Sequence, residues 1–147
     1  MDKNIFDRFK QKKTLYAGIG NQLRRDDGVG VYITRHLVHS EYICPLSVEV
    51  SIENYIGRIN QTYADSLILI DSMDFNEKPG FWKLLPIEEV NDITTNTHNI
   101  SLNKVSEFFN KQTYILGIQP GDLSFGEEMT SEVKKSADTI IKQIQNF

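Results

Sequence analysis

Leu67-Ile68-Leu69-Ile70 is an unbroken run of branched aliphatic residues that ends on an acid, Asp71. A strand with one wet face alternates apolar and polar residues, so a run without alternation reads as a strand buried on both faces. Such a strand needs neighbouring strands beside it and helices above and below it. The rest of the chain supplies both. Thr14–Ile19 is a second apolar run, cut off by Gly18-Ile19-Gly20-Asn21. Val29, Ile33 and Leu37, with His36 near them, follow at helical spacing. Val48, Val50 and Ile52 alternate with Glu49 and Ser51, the period of a strand. Asn54 stands where a cap would start a short helix carrying Ile56, Ile59 and Tyr63.

After the central run, Lys78-Pro79-Gly80 is a turn into an edge strand at 81–85, with one helical turn at 86–92 and a polar, β-branched loop at 92–96. Leu102, Val105, Phe108 and Phe109 mark a further helix, and 113–118 a further strand closed by Pro120-Gly121. Val133, Ala137, Ile140, Ile141 and Ile144 define the last helix, with Thr130 or Ser131 placed to cap it. The order is strand, helix, strand, helix, strand, strand, helix, strand, helix. It predicts an α/β fold of three layers, a largely parallel, twisted sheet of about five strands with helices on both faces. Residues 14–147 read as a single domain. Residues 1–13 read as a polar leader containing Ile5, Phe6 and Phe9, either a short helix or a frayed arm.

Several function classes lose support from composition. Sixteen basic against 20 acidic residues give a net charge of −4, without the basic excess of a nucleic-acid surface. The single cysteine, Cys44, rules out an internal disulfide and a cysteine zinc cage, and reads as an inert, half-buried thiol. The charged first residues lack the apolar core of a secretory signal, and no apolar run is long enough to span a membrane, so the cytoplasm is the expected location. No unpaired apolar stripe stands out, which predicts a monomer.

Three segments carry chemistry. Gly18-Ile19-Gly20 opens a sharp exit from the first strand, but Leu23 stands where a dinucleotide fingerprint needs its third glycine. Asn21 can hold that loop by bonding nearby backbone amides. Asp26 and Asp27 precede a helix, where acids cap free amides and complement the dipole; Asp26 can do this while Asp27 faces the crevice. Asp71 ends the buried strand, with Asp74 in the loop behind it. His98, in Thr97-His98-Asn99, precedes a helix and is the strongest candidate of the three histidines; His36 and His39 belong on or just beyond the first helix. Ligands of open α/β sheets bind beyond the carboxyl ends of the strands. Asp27, Asp71 and His98 all fall there, as a nitrogen-plus-oxygen set suited to a divalent transition metal or to acid/base chemistry. There is no Gly-x-Ser-x-Gly elbow and no His-Glu-x-x-His helix, so serine-hydrolase and zincin readings lack support.

The loop Gly18 to Gly30, the strand Leu67 to Asp71 with Ser72-Met73-Asp74, the segment Thr97 to Leu102, and Gly117-Ile118-Gln119-Pro120 with Met129-Thr130 resemble, in order and spacing, the [NiFe]-hydrogenase maturation endopeptidases. The likeness is strongest to the branch that processes the large subunit of hydrogenase 3, the formate-hydrogenlyase type, and runs from about residue 14 to the C-terminus. The resemblance implies an endopeptidase that removes the C-terminal peptide of a hydrogenase large-subunit precursor after nickel insertion. It implies metal ligands at Asp27, Asp71 and His98, with the nickel supplied by the precursor. The first of these is glutamate in some members; the shorter aspartate arm shifts the metal. Either carboxylate could instead serve as general base. Two rival readings go with it: a nickel- or precursor-binding checkpoint protein without proteolysis, and a peptidase of the same fold acting on another precursor.

Overall fold

The computed structural model describes residues 4–90 and 102–145. Five strands, β1 (Thr14–Ile19), β2 (Ile43–Glu49), β3 (Ser66–Ser72), β4 (Trp82–Pro86) and β5 (Gln112–Ile118), form one sheet in the order β2-β1-β3-β5-β4. Strands β2, β1, β3 and β5 are mutually parallel, and β4 pairs antiparallel with β5 at the edge. The helices are α1 (Val29–His36), α2 (Ile56–Gln61), α3 (Leu102–Ser106) and α4 (Ser131–Gln145). Their order along the chain is the one the hydrophobic spacing predicts.

The lack of alternation in β3 has a direct cause. Ile68 and Ile70 point into a core shared with Val29 and Ile33 of α1 and Val133, Ala137 and Ile140 of α4. Leu67 and Leu69 point the other way, toward Ile59 of α2 and Leu102 and Val105 of α3. Every apolar position of β3 is fully buried, so each side chain of the run contributes on the order of 1.5–3 kcal/mol. This is the three-layer, mostly parallel arrangement expected from the sequence.

The strand order positions the site. From β1 the chain passes through α1 to β2 on one side, then crosses back through α2 to β3 and builds β5 on the other side. The direction of winding therefore reverses between β1 and β3, which opens a crevice at their carboxyl ends. Two close approaches bring α1 to that crevice. A Cβ on Gly30 would lie 2.2 Å from the Ile70 carbonyl oxygen and 2.6 Å from that of Ile19. Only a residue without a side chain lets the helix start this near both strand ends.

Local details differ from the expected boundaries. β2 stops at Glu49, whose φ of 68° turns the chain. Val50 is therefore 52% exposed, and Ile52 is buried in a 3-10 turn rather than in the strand. Asn54 does not cap α2; Tyr55 occupies that position, without a side-chain cap bond. Of the leader, residues 7–9 form a 3-10 turn that packs on the domain. Phe6 is fully buried and stacks on Trp82 at 6.0 Å, and Phe9 meets Tyr114 edge-on at 5.1 Å. Asn4 Nδ2 donates to the Gln143 carbonyl in α4 at 2.7 Å. Among the described residues, no helix is long and apolar enough to cross a membrane.

Candidate active site at the β1/β3 crevice

β1 leaves the sheet at Gly20, whose φ of +137° and whose missing Cβ, which would sit 1.9 Å from the Asp27 carbonyl oxygen, let the loop fold back on itself. Asn21 holds the turn: its Oδ1 accepts from the Leu23 N–H at 2.9 Å, the local bonding expected of an asparagine here. The Asn21 N–H in turn donates to Asp27 Oδ2 at 2.9 Å. The loop thus closes on the carboxylate that it carries.

Asp27 and Asp71 are both buried, at 1% and 0% exposure. Their link is Ser72, the last residue of β3. Its hydroxyl donates to Asp27 Oδ1 at 3.0 Å, and its N–H donates to Asp71 Oδ1 at 2.8 Å. One residue therefore orients an oxygen of each acid. Buried carboxylates persist only when such donors replace water. The sequence pattern assigns Ser72 no role of its own. The one available signal was its place directly after a strand-ending acid, where alternation turns its side chain to the opposite face from Asp71, toward the β1 loop.

Asp26 does something other than cap α1, whose N-cap position is Gly28 and carries no side-chain cap bond. Its carboxylate turns away to the segment after β5. It accepts from the N–H groups of Gly121 and Asp122 at 2.8 and 2.9 Å, and from the N–H and hydroxyl of Thr130 at 2.7 and 2.8 Å. Arg25 extends the staple from a left-handed backbone (φ 46°). Its N–H donates to the Gly126 carbonyl, its Nε to the Glu128 carbonyl at 2.8 Å, and its Nη1 to Asp122 at 2.9 Å. The Asp122 carboxyl is held below its usual range, first by the Ser124 hydroxyl and backbone N–H and then by Arg25. The β1 loop and the 121–130 segment thereby form one rigid rim.

Behind β3, Gln119 performs a similar task. Its Oε1 accepts from the Phe75 N–H at 2.6 Å and the Glu77 N–H at 3.2 Å, while its Nε2 donates to Asp74 at 3.2 Å. Asp74 is exposed in that loop, as expected. His36 and His39 are exposed, and His36 packs on Tyr32 and bonds its carbonyl rather than facing the helix's core side. Cys44 is a half-buried free thiol in β2. His98 lies outside the described residues, as does the rest of 91–101. Among the described residues no three His, Cys, Asp or Glu side chains are grouped to hold a metal. What is brought together is a pair of buried, hydrogen-bonded carboxylates at the strand ends, able to accept a proton or to offer oxygen donors to a hard or borderline cation.

Comparison with known proteins agrees with this architecture. A Methanocaldococcus jannaschii protein provisionally named a hydrogenase maturation protease, MJ0631, is 28% identical over 161 residues, covering 98% of this chain and 94% of its own. The crystal structure of the [NiFe] hydrogenase maturation protease HycI from Thermococcus kodakarensis KOD1 superimposes with a TM-score of 0.79 at 24% identity, covering 98% of this chain and all of that one. The hydrogenase maturating endopeptidase HybD from E. coli gives a TM-score of 0.72 at 24% identity, covering 90% and 89%. At that identity the two structures establish a shared fold. The family model for HycI, hydrogenase maturation protease, matches residues 48–146, well over half of the chain. The chain belongs to the HycI family of hydrogenase maturation proteases and is, with that family, a peptide hydrolase.

Proposed function

We propose that this protein removes the C-terminal peptide of a [NiFe]-hydrogenase large-subunit precursor once nickel has been inserted, acting in the cytoplasm on a precursor of the hydrogenase 3 type. Asp27, Asp71 and His98 are the residues that engage the nickel carried in by the precursor. The observation that supports this reading most is the buried Asp27–Ser72–Asp71 arrangement at the switch point of the sheet. Two carboxylates and an imidazole are a donor set that suits a divalent first-row metal and leaves positions for the precursor's own ligands. The donor set therefore fits nickel as substrate cargo rather than as a resident cofactor.

When bound, nickel supplies Lewis-acid polarisation of the scissile carbonyl. The chain's residues do the rest. Asn21 and Ser72 fix the two oxygens of Asp27, so that this carboxylate meets the incoming site in one orientation. Ser72 does the same for one oxygen of Asp71. In the alternative role, one of the two carboxylates serves as general base instead of engaging the metal, taking the proton of the attacking water and passing it to the leaving amine. A rim held by Asp26 and Arg25 keeps the crevice formed before the precursor arrives, which lowers the ordering cost of binding.

The test is cleavage of nickel-loaded precursor by wild-type protein and by His98→Ala, read at the precursor's new C-terminus by mass spectrometry. Loss of processing in a folded variant is expected. Cleavage by His98→Ala at the wild-type rate would remove the histidine from the site. A folded wild-type protein that binds loaded precursor without cutting it would instead favour the checkpoint reading.

A further inference from the structure

A cleft of about 460 Å3 runs between the β1 loop with the start of α1 on one side and residues 127–134 on the other. Its size falls within the usual range for ligand sites. Gly28, the residue directly after Asp27, lines it. The cleft therefore borders the loop that carries Asp27.

We propose that this cleft is the groove in which the precursor chain lies next to the scissile bond, with Tyr32 and Met129 setting which side chain fits there. This inference rests on the proteolytic reading above. Three observations carry it. First, its two walls are the elements that Asp26 and Arg25 staple together, so the groove exists without substrate. Secondly, its lining combines apolar surface with polar groups. Tyr32 and Met129 both pack against the α1/α4 core. The Tyr32 hydroxyl is committed to Asp138 at 2.7 Å, which leaves the ring as its contribution to the cleft. Thirdly, charges of both signs lie along it. Glu127, Glu128 and Lys134 line the cleft, and none of them is in an ion pair among the described residues. An apolar seat with spare donors and acceptors of both signs suits an extended peptide, which offers a side chain and a row of amides. A polyanion or a lone ion would not use the apolar seat.

The experiment compares Met129→Glu and Ser131→Trp with wild-type protein on purified nickel-loaded large-subunit precursor. Ser131 is exposed at the cleft, so a tryptophan there fills the groove with little demand on the core. Tyr63→Lys, on an exposed residue just before the opposite end of β3, is the control. Melting temperatures confirm folding. The expected result is a KM raised about tenfold or more in both cleft variants, with kcat within about twofold and the control unchanged, the pattern of lost binding outside the chemical step. Wild-type KM in both folded variants overturns the groove while leaving the protease reading intact. Failure of the wild-type protein itself to cleave overturns the protease reading, and the groove with it.

Discussion

Ser72 and Asp27, 45 residues apart, are joined by a buried 3.0 Å hydrogen bond, and the same serine holds Asp71 through its N–H. Ser72→Ala removes the first of these contacts and leaves the second. A buried carboxylate oxygen then loses that donor, at a cost of about 1–3 kcal/mol. We expect a matching shift in the denaturant midpoint and about a tenfold fall in precursor processing, because Asp27 is no longer held in one orientation. Wild-type processing by this variant would show that the serine is only structural.

Asp26 accepts four hydrogen bonds from the 121–130 segment at zero exposure. Asp26→Ala leaves the Gly121, Asp122 and Thr130 donors without that acceptor. The expected loss is about 3 kcal/mol, since bonds to a charged acceptor are worth more than neutral ones. Thermal unfolding should show a decrease of roughly 6–12 °C for a domain of this size. A change under about 1 °C would contradict the staple.

Gly30 lets α1 start against both strand ends. In Gly30→Ala the new methyl collides with the Ile70 and Ile19 carbonyl oxygens, at 2.2 and 2.6 Å. Backbone on both sides must shift, so the loss should exceed about 3 kcal/mol and appear as poor soluble yield. Gly57→Ala is the contrast, because nothing lies within 4 Å of a Cβ there; placed in α2, it should be neutral or slightly stabilising.

The Tyr32 hydroxyl has its pKa raised from 10.0 to about 12, by burial first and then by its bond to Asp138 and that group's charge. An acid with a raised folded-state pKa binds its proton more tightly in the native state. Its contribution is complete below pH 10 and disappears as pH rises toward 12. Unfolding measured across this window should show stability falling with pH, and the slope should be shallower in Tyr32→Phe. An identical slope in the variant would assign the alkaline loss to other groups.

The fold was legible where burial leaves a periodic trace. The uniform run in β3 and the spacing of Val133, Ala137, Ile140, Ile141 and Ile144 follow from packing on two faces and on one face respectively, and all these residues are buried. Boundaries were less legible because one left-handed residue, Glu49, ends β2 while the alternating pattern continues through Val50. In the candidate site, Asp71 closes the apolar run of β3 and Asp27 stands just before α1, positions that the sequence pattern marks. The partners of Asp26 are not so marked, because Thr130 lies 104 residues away and only the folded sheet brings it near. Phe6 shows the same limit: an aromatic in a polar segment reveals nothing of the Trp82 ring it will cover.

In the proposed function, the carboxylate pair serves processing of a nickel-bearing precursor. The most direct test is a cleavage assay on nickel-loaded and nickel-free large-subunit precursor, with wild-type protein and Asp27→Asn side by side. Cleavage of the loaded form alone is expected, lost in a folded Asp27→Asn variant. Equal cleavage of both forms, or full activity in the variant, would contradict that function.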